Sequence, residues 1–444
     1  MTISLVNSES LLAIDIGAVH TRASLFDVVE KGYHFIATGT SPSTVAAPYR
    51  DAGEGIHLAI LNLQEKCGRR LLDDDSRLIL PSAPDGSGVD RMVFTYSAGP
   101  ALRVVVVGLL ADVSLESAAR LAATIPGQVV ETIGLNDNRS PEMQINAILK
   151  AQPDLIILSG GTEDGASRSV YQLVELITLV CQVLPQTLRP DVLYAGNRSL
   201  AKRIKEILER WTRVKVSPNV RPDVAFENLE PAQRVLAQIL TQIRADQIGG
   251  ISDLARVSSV SPIPTSHAFG RMMKFLSHIY DPQRGVMGID LGAGSTTIAA
   301  AVSGKLALNV LPMGMGSAIS EILNEIKIED IVQWLPIEVN VGVVRDYIWQ
   351  KQLYPDRVPA TSETLAIEQS LVRYVLQLAV KQTILNWPEL VMNFEPYIIT
   401  GSALTLAPSP NSSMLMLLDG IQPMGITTFV LDQNGLMASL GVAA

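Results

Sequence analysis

The sequence predicts an α/β protein in which two duplicated domains face one another across a cleft. Three observations predict it. Short apolar runs alternate with stretches of helical period, the pattern of interleaved strands and helices. The pentapeptide Ile14-Asp15-Ile16-Gly17-Ala18 recurs far along the chain as Ile289-Asp290-Leu291-Gly292-Ala293. Each copy ends an apolar strand and opens a turn of small residues, and a hydroxyl residue and a second strand follow.

Taken in order, Leu11–Ile16 and Thr21–Phe26 read as strands flanking the turn Gly17-Ala18-Val19-His20. Further strands are expected at Leu102–Val107, Leu155–Leu158 and Val192–Ala195. Helices are expected at Leu115–Ala123, Ser169–Leu184, Ser199–Trp211 and Pro231–Ala245, the last with proline early, where its missing N–H costs nothing. Gly249–Thr265, rich in serine with Pro262 and Pro264, reads as a linker or partly ordered loop. A helix over His267–Ile279 precedes a second hairpin, Gly285–Leu291 and Ser295–Val302 around Gly292-Ala293-Gly294. A long helix, Ser362–Asn386, leads to a strand at Tyr397–Thr400.

Composition narrows the function classes. The 444 residues carry 35 basic and 44 acidic side chains, a net charge of −9. That balance excludes a nucleic-acid protein acting through a broad basic surface. Hydrophobic types make up 47% and charged types 18%, which excludes a disordered chain. At ~150 residues per domain the length implies about three packing units, or two large ones. Mean hydropathy is +0.25, yet no run reaches the ~18 apolar residues of a membrane span. The best candidates, Leu102–Ala111 and Val170–Leu184 with its Glu175, read as buried core. Met1–Ser10 lacks a basic segment ahead of an apolar one, so no export signal is expected. Cys67 and Cys181 suit a reducing, cytoplasmic setting, and no histidine or cysteine falls at metal-ligand spacing.

The repeated hairpin carries the chemistry. A carboxylate at the end of a buried strand needs a partner. Hydrated Mg²⁺ is a good one, because it takes one or two carboxylates plus substrate phosphates. Asp15 and Asp290 are therefore the candidate metal and catalytic residues. Gly17, Gly292 and Gly294 let backbone N–H groups approach phosphate oxygens, and Ser295 and Thr296 add hydroxyl donors. One hairpin from each domain could clamp a nucleotide's phosphates. An ordinary strand followed by an ordinary turn is the alternative for either copy alone.

The two hairpins resemble the first and second phosphate motifs of the actin, Hsp70 and sugar-kinase ATPase superfamily. Ile398-Ile399-Thr400-Gly401-Ser402-Ala403-Leu404 resembles its adenosine motif, and Asn434–Ala443 with Gly441 its closing helix. Within that superfamily the chain resembles, from about residue 11 to residue 443, the glutamate mutase accessory family called MutL, which is unrelated to the mismatch-repair protein of that name. The resemblance rests on Thr95-Tyr96-Ser97-Ala98-Gly99 with Leu102-Arg103, on Pro153–Gly165, on Tyr194-Ala195-Gly196-Asn197 and on Leu417–Pro423. It implies two actin-like (ribonuclease H-like) domains around a nucleotide cleft. Lobe I would take residues 1–280, with an α/β insertion over about 100–250; lobe II would take 281–444, its last helix (about 434–444) returning toward lobe I. It also implies ATP and Mg²⁺ as cofactors, and a role as an ATP-driven reactivating factor for an adenosylcobalamin-dependent mutase, whose subunits would be its partners. A homo-oligomer is compatible with it.

The departures matter too. The family's first motif has hydroxyl residues after the glycine and ends in lysine; here Ala18-Val19-His20-Thr21 leads to Arg22. Backbone contacts from Gly17 and Ala18 would survive, with Thr21 and Arg22 beside the phosphates, though Arg22 is not an interchangeable point charge. The second motif usually ends in an acid that helps hold Mg²⁺; here Asp290-Leu291-Gly292-Ala293-Gly294-Ser295-Thr296 leads to Thr297. Ser402 stands where a second glycine is common beside Gly401 and Ala403. Weak or absent hydrolysis is the expectation.

Gly160-Gly161-Thr162-Glu163-Asp164-Gly165 follows an apolar strand, where α/β folds place ligands. Glu163 and Asp164 could orient a water or contact Mg²⁺ at second hand, with Gly160, Gly161 and Thr162 touching nucleotide; a solvated acidic turn is the other reading. His20 reads as exposed, Asn197 as a helix cap, Asp137-Asn138-Arg139 as a loop, and Arg69-Arg70 with Asp73-Asp74-Asp75 as a solvated face. Two other functions use the same hairpins. An actin-type scaffold would polymerise with nucleotide, and a small-molecule kinase would need a carboxylate base for which no strong motif stands.

Overall fold

A computed structural model describes residues 9–30, 32–163 and 165–444. The chain divides into two compact units: residues up to Gly99 together with Ile243–Ala444, and Pro100–Gln242. In chain order, β1 (Leu11–Ile16), β2 (His20–Val29), β3 (Gly32–Pro42), α1 (Gly53–Cys67) and β4 (Arg91–Tyr96) open the first unit. The second holds β5 (Leu102–Val107), α2 (Glu116–Ala122), β6 (Gly127–Ile133), α3 (Pro141–Ala151), β7 (Leu155–Leu158), α4 (Arg168–Val183), β8 (Asp191–Tyr194), α5 (Ala201–Leu208) and β9 (Val214–Val216). After α6 (Glu230–Gln247) come α7 (Ile251–Val257), β10 (Ile263–Pro264) and α8 (Thr265–Ile279). The first unit continues with β11 (Val286–Leu291), β12 (Thr296–Val302), β13 (Lys305–Leu311), α9 (Ile328–Gln333), α10 (Val341–Leu353), α11 (Ser362–Asn386) and β14 (Tyr397–Thr400). It closes with α12 (Ser402–Thr405), α13 (Pro410–Ile421), β15 (Phe429–Leu431) and α14 (Leu436–Ala443).

The first unit contains one architecture twice. Its sheets run β10-β4-β1-β2-β3 and β15-β14-β11-β12-β13. In each, three antiparallel strands come first, and two parallel strands are added on the other side of the first strand. This is the ribonuclease H-like arrangement, duplicated as in actin-like proteins. The central strands, Leu-Leu-Ala-Ile-Asp-Ile and Val-Met-Gly-Ile-Asp-Leu, are almost wholly buried because both faces are covered.

The closing helices are exchanged. Phe269 and Met273 of α8 pack with Val286, Ala299, Leu308 and Ile398 of the second sheet. Ala438 and Val442 of α14 pack with Ala13, Phe26 and Val93 of the first. The two helices cross where Gly441 lies directly against the Ala268 carbonyl, with no room for a side chain.

The second unit is a parallel sheet of order β6-β5-β7-β8-β9 with helices between successive strands. Its central strands β5, β7 and β8 are nearly all buried because the helices cover both faces, whereas the edge strands β6 and β9 are partly exposed and carry polar residues.

The structure corrects several expectations. Gly249–Thr265 is not a linker: it holds α7 and β10, the fifth strand of the first sheet. Two prolines hid that strand, which is tolerated because it lies at an edge. β3 went unread because it is an edge strand with Tyr33 and Ile36 turned outward, so no apolar run marks it. The helix expected over Ser199–Trp211 is a single 3-10 turn, Arg198–Leu200, and then α5. Asn197 does cap that turn, accepting from Ser199 N at 2.9 Å. His20 is exposed, and Arg70 pairs with Asp74 on the surface at 2.5 Å, both as read.

Candidate functional site

The register of each hairpin sets its carboxylate. Asp15 lies opposite Arg22 on β2 and Thr95 on β4. Asp290 lies opposite Thr297 on β12 and Thr400 on β14. Side chains alternate faces along a strand, so each aspartate shares a face with these partners. The hydroxyls of Thr95 and Thr265 both donate to Asp15 Oδ1, each at 2.8 Å. Thr265 opens α8, so the exchanged helix helps aim the first carboxylate. Thr265→Val would leave one donor, and a threefold to tenfold loss of Mg²⁺–nucleotide affinity is expected by calorimetric titration, about the value of one hydrogen bond to a charged group.

Asp290 is half-buried beside like charge. Burial pushes its carboxyl up to about 7; the charge of Asp15 acts in the same direction, Arg22 opposes, and Asp432 adds to the rise. Two converging carboxylates, one resisting ionisation, are a setting that a divalent cation would relieve. Among the described residues, no group of three or more His, Cys, Asp or Glu could hold a metal alone. The donor set therefore fits Mg²⁺, which takes its remaining oxygens from phosphate and water. It does not fit a metal that needs a protein cage.

The turns converge. A methyl built on Gly294 would lie 3.3 Å from the Ala18 side chain and 3.5 Å from the Ser317 hydroxyl. Each turn is tight, with Gly17 N bonded to His20 O and Gly292 N to Ser295 O, both at 3.0 Å. The strap after β13 holds the second turn from behind: Met315 N bonds Gly292 O at 2.9 Å and Gly316 N bonds Ala293 O at 3.0 Å. A trans peptide sets each N–H opposite the preceding carbonyl, so the amides of Ala293 and Gly294 point away from the strap. Anion-binding turns are made this way.

The hydroxyls are arranged differently from the sequence expectation. Thr21 and Thr296 are fully buried on the opposite face from the carboxylates. Thr21 lies against Gly55 of α1, and Thr296 donates to Met313 O at 2.8 Å. Both brace the hairpins from inside. Ser317, which no motif announced, is the exposed hydroxyl beside the gap.

The adenosine-like turn follows β14. Gly401 has φ 107° and is packed on the Leu291 carbonyl, where a side chain has no space, so the turn is tied to the end of β11. Ser402 and Ala403 begin the short α12. Arg22 reaches over the second domain's last turn, its guanidinium 2.6 Å from a methyl built on Gly435. Asp432 caps α14 there, accepting from Leu436 N and Met437 N at 3.0 Å.

The model of the family described as MutL protein matches residues 11–444. The chain belongs to the MutL family. No curated protein matches its sequence. Among solved structures it is similar to the nucleotide-free acetone carboxylase of ATP-dependent acetone carboxylation, with 11% identity, 98% of this chain and 70% of that chain covered, and a TM-score of 0.40. It is similar to a diol dehydratase-reactivating factor in nucleotide-free form, with 11% identity, 98% and 99% covered, and a TM-score of 0.39. A glycerol dehydratase reactivase gives 10% identity, 93% and 95% covered, and a TM-score of 0.34. Likeness at this level carries neither substrate nor activity across.

In this MutL-family chain Gly160, Gly161, Thr162, Glu163 and Gly165 lie in the second unit. Gly160 packs on Leu109, and Gly161 on Asn197. The Glu163 carboxylate accepts from Arg198 N at 3.2 Å, and Asn219 Nδ2 donates to Gly161 O at 2.9 Å. These bonds cap the 3-10 turn and fix the loop. Thr162 is half-buried in the same loop, and Asp164 lies outside the described residues.

Proposed function

We propose that this chain binds ATP with Mg²⁺ between its two converging turns and acts as a reactivating factor for an adenosylcobalamin-dependent mutase. The observation that carries the nucleotide reading is the meeting of Ala18 and Gly294 beside the Asp15–Asp290 pair. Membership of the MutL family supports the choice of a mutase as partner, a role that the resemblance implies.

In this reading the amides of Ala293 and Gly294, with Ser295, bind phosphate oxygens from one side, and the amide of Ala18 from the other, with Gly17 closing its turn. Gly401, Ser402 and Ala403 border the adenosine. Arg22 places positive charge between the two carboxylates and the C-terminal domain. Bound Mg²⁺ would neutralise developing phosphate charge, held by Asp15 and Asp290. Thr297 supplies a hydroxyl where relatives carry an acid, so no strong base is set to activate water. A nucleotide clamped by both domains favours their closed arrangement, and its loss frees them, which gives a reactivating factor its stroke. A cytoplasmic site of action goes with this role.

The decisive experiment is calorimetric titration with ATP and Mg²⁺, joined to a pull-down for corrinoid proteins. Micromolar binding and nucleotide-dependent capture of a mutase are expected; no binding would remove the reading. Turnover is expected to lie well below roughly one per second, the lower end of ordinary enzymes, and brisk phosphate release would contradict the role given to Thr297.

A further inference from the structure

The strap after β13, Met313–Ala318, brings one side chain to the phosphate gap that the reading above leaves without a role. Two glycines let the strap lie flush on the second turn. A methyl built on Gly314 would lie 2.5 Å from the Gly292 carbonyl oxygen and 2.7 Å from that of Ala293. One built on Gly316 would lie 2.7 Å from the Ala293 side chain and 3.2 Å from that of Pro355. Neither position has room for a side chain, and Met315 between them is buried. Ala318 N adds a further bond to Ala293 O at 3.3 Å. Ser317 is the first exposed side chain of this fixed strap. Its hydroxyl has no protein partner among the described residues, so it is a donor open to a ligand oxygen.

Which phosphate it meets follows from the two ends of the turn. Gly401 of the adenosine-like turn rests on the Leu291 carbonyl, where the second phosphate turn begins. Gly294, at the other end, meets Ala18 of the first turn. A nucleotide with its adenosine at Gly401 therefore runs its phosphates from Leu291 toward Gly294, and the terminal one arrives where the two turns meet. The Ser317 hydroxyl lies at that end, 3.5 Å from a methyl built on Gly294. Neighbouring hydroxyls are already committed: Thr296 donates to Met313 O, and Thr95 and Thr265 donate to Asp15.

We infer that Ser317 is the residue that distinguishes ATP from ADP: its hydroxyl donates to an oxygen of the terminal phosphate of ATP and has nothing to reach in ADP. The inference rests on the ATP-site reading and deepens it. A hydrogen bond to a charged oxygen is stronger than one between neutral groups. The strap is already held by the second turn, so little freedom is lost when the bond forms. A ligand shifts a conformational equilibrium only through contacts that differ between states, and this hydroxyl supplies one that ATP makes and ADP does not.

The test titrates ATP and ADP, each with Mg²⁺, calorimetrically into wild type, Ser317→Ala and Ser317→Thr. Ser317→Ala is expected to lower ATP affinity about fivefold to tenfold, the scale of one hydrogen bond to a charged group, and to leave ADP affinity within about twofold. Ser317→Thr keeps the hydroxyl and is expected to restore most of the ATP-to-ADP ratio. Equal losses for both nucleotides in Ser317→Ala, with or without a lower thermal midpoint, would make the serine a general support of the turn and overturn the inference. Unchanged ATP affinity overturns it too, as does a ratio that threonine fails to restore. In each of these cases wild type still binds nucleotide and the ATP site stands. If wild type binds neither nucleotide, the ATP-site reading falls and the role of Ser317 with it.

Discussion

Asp290→Asn is expected to weaken Mg²⁺–ATP binding at least tenfold and, in the same molecule, to stabilise the nucleotide-free protein at pH 8. Both effects come from one cause. The Asp290 carboxyl is half-buried near Asp15 and Asp432, and its pKa stands at about 7 against 3.8 for the free side chain. The folded state therefore holds this proton more tightly than the unfolded chain does. Between pH 4 and 7 the unfolded state binds fewer protons, so stability falls as pH rises and levels off above 7. The asparagine has no proton to lose. Its advantage over wild type should be absent near pH 4, grow through the window and reach about 2 kcal/mol at pH 8, after the ~1.4 kcal/mol per pKa unit is discounted for partial exposure.

Ligand binding has the opposite dependence. Mg²⁺ needs the carboxylate, so below pH 7 each binding event must release a proton, and affinity should drop up to about tenfold per pH unit. Titrations in buffers of different ionisation enthalpy measure that proton directly. Chemical denaturation from pH 4 to 8 measures the stability half. If Asp290→Asn bound Mg²⁺–ATP as well as wild type at every pH, the aspartate would be a buried structural group and the nucleotide reading would lose its metal.

The site could be found in the sequence because a buried strand ending in aspartate and a small-residue turn is costly, and the chain repeats it. The repeat gave both carboxylates, Gly17 and Gly292, with Gly294 directly after its second copy, and the adenosine-like turn at Gly401 supplied a third element. The face on which each hydroxyl lies was not legible from types alone. Thr21 and Thr296 are one residue out of phase with the carboxylate pairs, so the alternation of strand side chains carries them into the core. Ser317 could not be found at all. It reaches the gap through long-range packing of Gly316 on Ala293, which no local pattern records. The same limit applies to β10, whose two residues pair with Thr95 and Tyr96 from far along the chain. The hydrogen bond that the Glu163 carboxylate accepts likewise depends on Arg198, a residue no local pattern ties to it.

The second large effect is expected at Gly441. Gly441→Leu would force a side chain into the Ala268 carbonyl at the crossing of α8 and α14, against backbone that cannot rotate aside. Overpacking a helix crossing typically costs 1–3 kcal/mol, and contact with backbone should bring this case to about 3 kcal/mol or more. For a domain this large, a thermal midpoint lower by roughly 6–12 °C follows. The consequence for the site is more informative than the stability. The N-terminus of α8 carries Thr265, which aims Asp15, and the turn before α14 carries Asp432 and Gly435, which border Asp290 and Arg22. Each exchanged helix thus starts at one carboxylate and packs beneath the other domain's sheet. Wedging the helices apart should separate the two carboxylates, so Mg²⁺–ATP affinity measured at about 10 °C, well below the lowered midpoint, is expected to fall at least fivefold. A variant with a lower midpoint but undiminished affinity would mean that the crossing holds the domains together without setting the distance between their acids.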